Sequence, residues 1–315
     1  MGHTSTFSRD DLGLNYASLI TYPSPLRYPG GKRKLANFIK LLIVQNQLIG
    51  CDYIEPFAGG AAVGLALLFE EYVNAIHLND LDRSIFAFWD AVLNCTEDLC
   101  RKIYDTEVSF EEWERQRDVQ LASDPTNLDL AFSTFFLNRT NRSGIITGGP
   151  IGGKDQHGQW KLDARYNKIN LIQRIRKVAR FRNRITLTQA DAKDFLQTGS
   201  IDSAQRTLSY IDPPYYEKGR GLYKNFYEHK HHEEIAIRVT SLRSSWIVSY
   251  DAVTPIFDLY RGYQSIQYSL SYSAANRYRG NEVMFFSPEL KPPISMSPTQ
   301  VTKENLRIAR SEIKS

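Results

Sequence analysis

Six residues, Tyr210-Ile211-Asp212-Pro213-Pro214-Tyr215, carry the densest chemical signal in the sequence. Residues 208–211 are short, apolar and β-prone, which predicts a buried strand. Asp212 falls where that strand should end. Pro213 and Pro214 lack an N–H and have a fixed φ, so neither a helix nor further strand pairing can continue through them. The chain must leave the sheet as a stiff, extended turn that presents a carboxylate, carbonyls and the ring of Tyr215. In an open α/β sheet, ligands bind at the carboxyl ends of strands. The chemistry suited to this group is methylation of an exocyclic amine, a poor nucleophile because its lone pair is delocalised into a ring. Acceptors on both N–H bonds, the Asp212 carboxylate and the Pro213 carbonyl, turn that lone pair toward an incoming methyl group. Pro214 keeps the turn rigid and Tyr215 can stack on the base. Positioning of this kind can supply much of a rate enhancement. The bland alternative is a strand-end Asp capping a Pro-Pro turn.

Such a turn needs a sheet behind it and a second ligand beside it. Residues 52–54 read as a first strand, 55–60 as the turn after it, and 61–70 as a first helix. The glycines of Glu55-Pro56-Phe57-Ala58-Gly59-Gly60 let backbone approach a ligand at a helix N-terminus. A second strand, 75–78, precedes Asp80, which follows Gly59 at about the interval that sets a carboxylate on a ribose in nucleotide folds. Residues 185–187 make another strand, and Asp191 follows it, where an acid can serve as the N-cap of a helix over 192–196. Late strands are expected at 246–250 and 282–286, the last as part of an antiparallel edge.

These motifs stand in a familiar order: Arg27-Tyr28-Pro29-Gly30-Gly31-Lys32, Glu55-Pro56-Phe57-Ala58-Gly59-Gly60, Asn79-Asp80, Phe136-Leu137-Asn138-Arg139, and Asp212-Pro213-Pro214-Tyr215. In that order the chain resembles the Dam-like (alpha-class) DNA adenine-N6 methyltransferases, which use S-adenosylmethionine (AdoMet). The resemblance runs from about residue 26 to 286. It implies a doubly wound, Rossmann-like sheet formed from residues 1–95 and 181–291. Residues 96–180 are then an inserted, mainly helical target recognition domain, and 292–315 a peripheral tail. It implies that Tyr28, Lys32, Glu55, Phe57, Gly59, Asp80, Asp191 and Asp212 hold AdoMet, with Asp191 near its adenine and Asp212 near its methionine end. It also implies that the target adenine is flipped out of duplex DNA to reach Asp212. Methylation of cytosine N4 or of RNA adenine by the same turn, and a catalytically silent DNA-binding relative, are the rival readings. Asp at position 212, rather than Ser or Asn, leans toward adenine.

The insertion carries the basic signal that the whole chain dilutes. Net charge is +4 with a pI near 8.8, which permits nucleic-acid binding without demanding it. Residues 165–184 hold eight Lys and Arg and no acid, around an apolar stripe of Leu171, Ile172, Ile175 and Val178. Arg176 and Lys177 suit phosphate contacts, as do Arg277 and Arg279 on a Ser/Asn/Gly loop. Arg139, Asn141 and Arg142 lie in a polar turn, a set suited to reading guanine and adenine edges. The alternative for that turn is a brace of the insertion against the core. Residues 147–158 read as a glycine-rich loop or hairpin.

Other classes find little support. Cys51, Cys95 and Cys100 have neither zinc nor disulfide spacing, and His229, His231 and His232 match no zinc motif, so no metal is expected and the histidines read as a solvated helix start. Gly30-Gly31-Lys32 lacks the other residues of a phosphate loop. No signal pattern or bilayer-length apolar run appears, so a cytoplasmic protein is expected. A fused nuclease is not indicated. The partners expected are double-stranded DNA and a cognate restriction endonuclease or phage-defence system.

Overall fold

The computed structural model describes residues 23–27, 32–197, 206–217, 227–272, 278–293 and 296–312. Seven strands form one sheet: β1 (Cys51–Glu55), β2 (Val73–Asn79), β3 (Ile185–Thr188), β4 (Thr207–Ile211), β5 (Ser245–Asp251), β6 (Ser265–Tyr272) and β7 (Tyr278–Phe286), in the order β3-β2-β1-β4-β5-β7-β6. The first five in that order run parallel, and β7 is antiparallel to both β5 and β6. Every residue of β4 is buried, as a central parallel strand covered on both faces requires. The chain winds outward from β1 to β3 and then returns to β4. The order therefore reverses between β1 and β4, where an open α/β sheet has its ligand crevice.

Helices cover the sheet. The chain forms α1 (Ala36–Gln45), α2 (Ala62–Phe69), α3 (Arg83–Asn94), α4 (Thr96–Asp105), α5 (Phe110–Leu121), α6 (Asn127–Thr140), α7 (Lys168–Arg180), the short α8 (Ala192–Phe195), α9 (His229–Thr240), α10 (Thr254–Leu259) and α11 (Lys303–Glu312). Apolar residues bury α1 almost along its length. Side chains set several starts: Asp82, Ser109, Thr126 and Asn167 accept backbone N–H groups at the heads of α3, α5, α6 and α7.

Within the expected insertion, α6 is buried from Leu130 to Thr140 and packs against α3 and α5. Phe88 of α3 stacks on Phe135 of α6 at 6.0 Å. One continuous hydrophobic core joins these helices to the sheet.

The late strands form the expected antiparallel edge, with one addition and one correction. β7 pairs between β5 and β6, and the outermost strand is β6, which the sequence reading did not anticipate. Part of the loop expected around 271–280 is strand, with β6 running to Tyr272 and β7 starting at Tyr278.

Candidate active site at the ends of β1 and β4

β4 delivers Asp212 to the mouth of the crevice, and the two prolines end its pairing there. The chain beyond is fixed from the neighbouring strand. Asp251, 2% exposed at the end of β5, accepts the Tyr216 N–H at 2.9 Å on one oxygen and the Glu217 N–H at 3.0 Å on the other. The turn is thus clamped on both sides of its prolines.

Asp212 keeps a fifth of its side chain exposed. Its Oδ1 accepts from Ser249 Oγ at 2.7 Å and lies 2.8 Å from Lys32 Nζ. Lys32 also reaches Tyr215 Oη at 2.5 Å, Glu282 Oε2 at 3.2 Å and Ser249 Oγ at 3.3 Å. Burial opposes the Lys32 ammonium, but Asp212, Tyr210, Tyr268 and Glu282 outweigh it and hold its pKa well above the usual lysine range. The site therefore holds a fixed positive charge between two carboxylates. Tyr215 differs from the expected open stacking platform. Its ring is 3% exposed, and its hydroxyl donates to Glu282 Oε1 at 2.5 Å.

On the other side of the crevice stand the groups at the ends of β1 and β2. Glu55 is 5% exposed, and its Oε1 accepts from Tyr53 Oη at 3.1 Å and Gly64 N at 3.0 Å. Burial pushes its carboxyl up to about 8. Asp80 accepts the Gly59 N–H at 2.8 Å and the Asp82 N–H at 3.0 Å, and burial raises it to about 6. The glycine matters here because Gly59 has φ +45. Phe57 is half-buried and meets Tyr227 edge-on at 6.0 Å. Asp191 accepts the Lys193 N–H at 2.8 Å, so it caps α8 while staying partly exposed. Asn79 ties these acids together: fully buried, it bonds the Pro56 carbonyl and both backbone groups of Ala190 at 3.0 Å.

The expected DNA-contact residues fare unevenly. Arg139 is 7% exposed and gives Nε and Nη2 to the Pro25 carbonyl. Asn141, 0% exposed, accepts from Trp113 Nε1 at 2.6 Å and donates to the carbonyls of Ile145 and Ile146. Both are braces, and the expectation that they read base edges is corrected. Arg142 is exposed. Arg176 is paired on two nitrogens with Glu97, and Lys177 lies 4.4 Å over the Phe69 ring. Their helix leads into Arg184, which bonds the Val73 and Asn74 carbonyls at the start of β2 and pairs with Glu71. This half of the basic run thus lies at the amino ends of the strands, opposite Asp212, with its charge partly met by Glu97 and Glu71. That corrects the expectation of a phosphate-binding patch there. Tyr28 and Arg277 lie outside the described residues, and Arg279 sits in β7 without a described side chain.

Sequence reasoning missed Ser249, Asp251, Glu282 and Tyr268, and gave Tyr210 no role of its own. Ser249, Asp251, Glu282 and Tyr268 sit in or beside β-prone runs where a polar residue reads as the solvent face, and only strand order reveals that they gather around Asp212, Lys32 and the turn. Asp251 and Glu282 do share one signal, an acid flanking an apolar strand. The histidines also differ from expectation. His229 and His231 are exposed, but His232 is fully buried, with Nδ1 3.0 Å from Tyr250 Oη, and burial lowers it to about 4. Among the described residues, no cluster of three or more His, Cys, Asp or Glu could hold a metal ion. No described helix is long and apolar enough to cross a membrane.

The family model for D12 class N6 adenine-specific DNA methyltransferases matches residues 28–274. The modification methylase StsI of Streptococcus sanguinis is 25% identical over 213 residues, 61% of this chain and 28% of that protein. The chain thus spans less than a third of that relative's length. The solved rRNA methyltransferase AviRa of Streptomyces viridochromogenes is 11% identical, with a TM-score of 0.36 over 87% of this chain and 93% of its own.

Proposed function

Because this chain belongs to the D12 class N6 adenine-specific DNA methyltransferase family, we propose that it transfers the methyl group of AdoMet to the exocyclic amine of an adenine in duplex DNA. The observation that carries this reading is Asp212: a partly exposed carboxylate at the sheet's switch point, fixed by Lys32 and Ser249 in a turn that Asp251 holds from behind. Asp212 and the Pro213 carbonyl accept the two amine hydrogens and leave the nitrogen lone pair pointing at the methyl donor. The amine lies inside the stack of a duplex, so the base must be flipped out to reach the turn.

The residues present fit AdoMet by their chemistry. A ribose diol needs acceptors, and Asp80 stands at the end of β2. An adenine lies between apolar side chains and an acid, and Phe57 and Asp191 flank that side. A methionine carboxylate needs a cation, which Lys32 supplies, and its ammonium needs acceptor oxygens, which Glu55 and Asp212 supply. When bound, AdoMet supplies an electron-poor methyl group, and the chain's part is to hold acceptor and donor in line.

Residues 96–180 act in this reading as the target recognition domain. Arg142 is the candidate for reading a base edge, on a loop whose glycines and Asn141 fix its shape. The relative's description as a modification methylase favours a restriction-modification setting, with a cognate endonuclease as partner.

The test is to incubate the protein with tritiated AdoMet and duplex DNA and to hydrolyse the product to nucleosides. Label in N6-methyladenine is expected. Label in N4-methylcytosine, or in RNA alone, overturns the reading.

A further inference from the structure

One ammonium in this site serves two carboxylates. Lys32 Nζ lies 2.8 Å from Asp212 Oδ1 and 3.2 Å from Glu282 Oε2. Glu282 is 0% exposed, whereas Asp212 is open at the crevice. Both oxygens of Glu282 are occupied: Oε1 accepts from Tyr215 Oη at 2.5 Å, and Oε2 accepts from Tyr268 Oη at 2.7 Å as well as from Lys32. The placement depends on β7 running inside the sheet, where Glu282 pairs in register with Asp251 on one side and Tyr268 on the other.

A buried carboxylate without a cation of its own is costly. Hydrophobic packing gives no reason for one here, so its effect on its neighbours is the informative property. If Lys32 had only Asp212 as a partner, the pair would be neutral, and the ammonium would draw electron density from the oxygens that must accept an amine. With Glu282 sharing Lys32, the three charged groups sum to one negative charge, and the exposed end of that charge is Asp212.

We infer that Glu282 is a positioning residue for methyl transfer, holding the Tyr215 hydroxyl and part of the Lys32 charge so that the open Asp212 carboxylate accepts an amine hydrogen more strongly than it would with Lys32 to itself. This rests on the reading of Asp212 as the amine acceptor. The groups facing Glu282 are Lys32 from the turn before α1, Tyr210, Asp212 and Tyr215 from β4 and its turn, Ser249 and Asp251 from β5, and Tyr268 from β6. Burial raises the proton affinity of Asp212, Lys32 opposes that, and Glu282 adds to it.

Glu282→Gln keeps the shape and removes the charge. In the cofactor-free protein, the Asp212 carboxyl 13C resonance, assigned by its loss in Asp212→Asn, should titrate about one pH unit lower, because a like charge has gone. In turnover, kcat should fall about tenfold to a hundredfold and KM for AdoMet and DNA less than about twofold, since the interaction serves the reacting geometry. The acid limb of kcat should move to lower pH with the carboxyl midpoint. Glu282→Asp, which restores the charge, should return the limb toward wild type. An unmoved Asp212 midpoint overturns the inference whatever the activity. Should Glu282→Gln fail to fold, Tyr268→Phe removes one donor that disperses the Glu282 charge and must move the midpoint the other way; no movement there overturns it equally. If wild type methylates DNA, Asp212→Ala does not, and Glu282→Gln keeps kcat and midpoint, only the inference fails. If the midpoint moves but wild type methylates no adenine, the functional reading fails and takes the catalytic role of Glu282 with it.

Discussion

Asn138 and Arg27 are joined twice although 111 residues separate them: Asn138 Oδ1 accepts the Arg27 N–H at 2.7 Å, and its Nδ2 donates to the Arg27 carbonyl at 2.6 Å. One side chain stands in for a strand neighbour and fastens the segment before Lys32 to the end of α6. The same Nδ2 reaches the Gly144 carbonyl at 2.8 Å, and a Cβ on Gly144 would meet the Arg27 carbonyl at 2.7 Å. Asn138→Ala leaves these backbone groups without their partner and should cost about 2–4 kcal/mol, since each buried unmet group costs about 1–3 and neighbours do not add fully. Urea unfolding measures it. A loss under about 0.5 kcal/mol would show that the brace is dispensable.

Asp212→Ala should abolish methyl transfer while the protein stays folded, because no other side-chain carboxylate in the turn can accept an amine hydrogen. AdoMet affinity should also weaken. Labelling of duplex DNA near the wild-type rate would sink the assignment. Burial raises the pKa of this carboxyl, so wild-type activity should fall away on the acid side above the ordinary aspartate range.

Asp80 should matter twice over. As the ribose acceptor its loss costs about 1.5–3 kcal/mol of AdoMet binding, roughly tenfold to a hundredfold in affinity. As the acceptor for Gly59 and Asp82 it also shapes the glycine turn, so Asp80→Ala should lower the unfolding temperature of the cofactor-free protein. Calorimetry that finds affinity unchanged places the ribose elsewhere.

Glu55 makes stability depend on pH. Its folded carboxyl holds a proton up to about 8, against an ordinary value of 4.5. The proton's contribution is full below the ordinary value and is lost as pH rises through about 8. It amounts to a few kcal/mol at most, on the order of the shift converted at about 1.4 kcal/mol per unit. The wild-type unfolding temperature should therefore fall, relative to Glu55→Gln, between pH 5 and 8.5 (roughly the window these values bound). Parallel profiles would mean that Glu55 is ionised in the folded chain.

Arg142 and the pair Arg176 and Lys177 should behave oppositely in DNA binding. Arg142→Ala should cost about 1–3 kcal/mol on the preferred site and relax discrimination at one base pair. Replacing Arg176 and Lys177 with Ala should leave the salt slope nearly unchanged, because neither side chain lies at the carboxyl ends of the strands. A slope reduced by about two would return both to the phosphate backbone. Titrations at several salt concentrations on matched and single-mismatch duplexes test both variants.

What the sequence made legible follows from the range of each signal. The Asp212 turn, the glycine turn of Gly59 and the acid at Asp80 are local: prolines, glycines and strand ends fix them within a few residues. The winding from β1 to β5 follows from alternating strand and helix patterns. The basic run at 165–184 misled because sequence shows charges and not their partners: Glu97 and Glu71 lie about 80 and 110 residues away. Arg139 and Asn141 misled for a related reason, since a polar turn looks solvent-facing until the segment at Pro25 is laid over it. Ser249 and Glu282 were invisible because a polar residue in a strand gains meaning only from its neighbours across the sheet.

The seam between β1 and β4 is the one that joins the most distant segments of the chain. Asp52 pairs with Thr207 across roughly 150 residues, so the whole helical insertion must leave the ribosome before the sheet is continuous. Until then β1 and β2 pair with one edge bare, beside a helix α6 whose buried aromatic and leucine side chains from Leu130 to Leu137 lack part of their cover, which is the condition under which nascent chains stick to each other. A product truncated after α8 is therefore expected to be an aggregating species and not a smaller domain. The same delay withholds Asp212 from the crevice until 212 of the 315 residues are made, so no half-made chain can modify the DNA it meets.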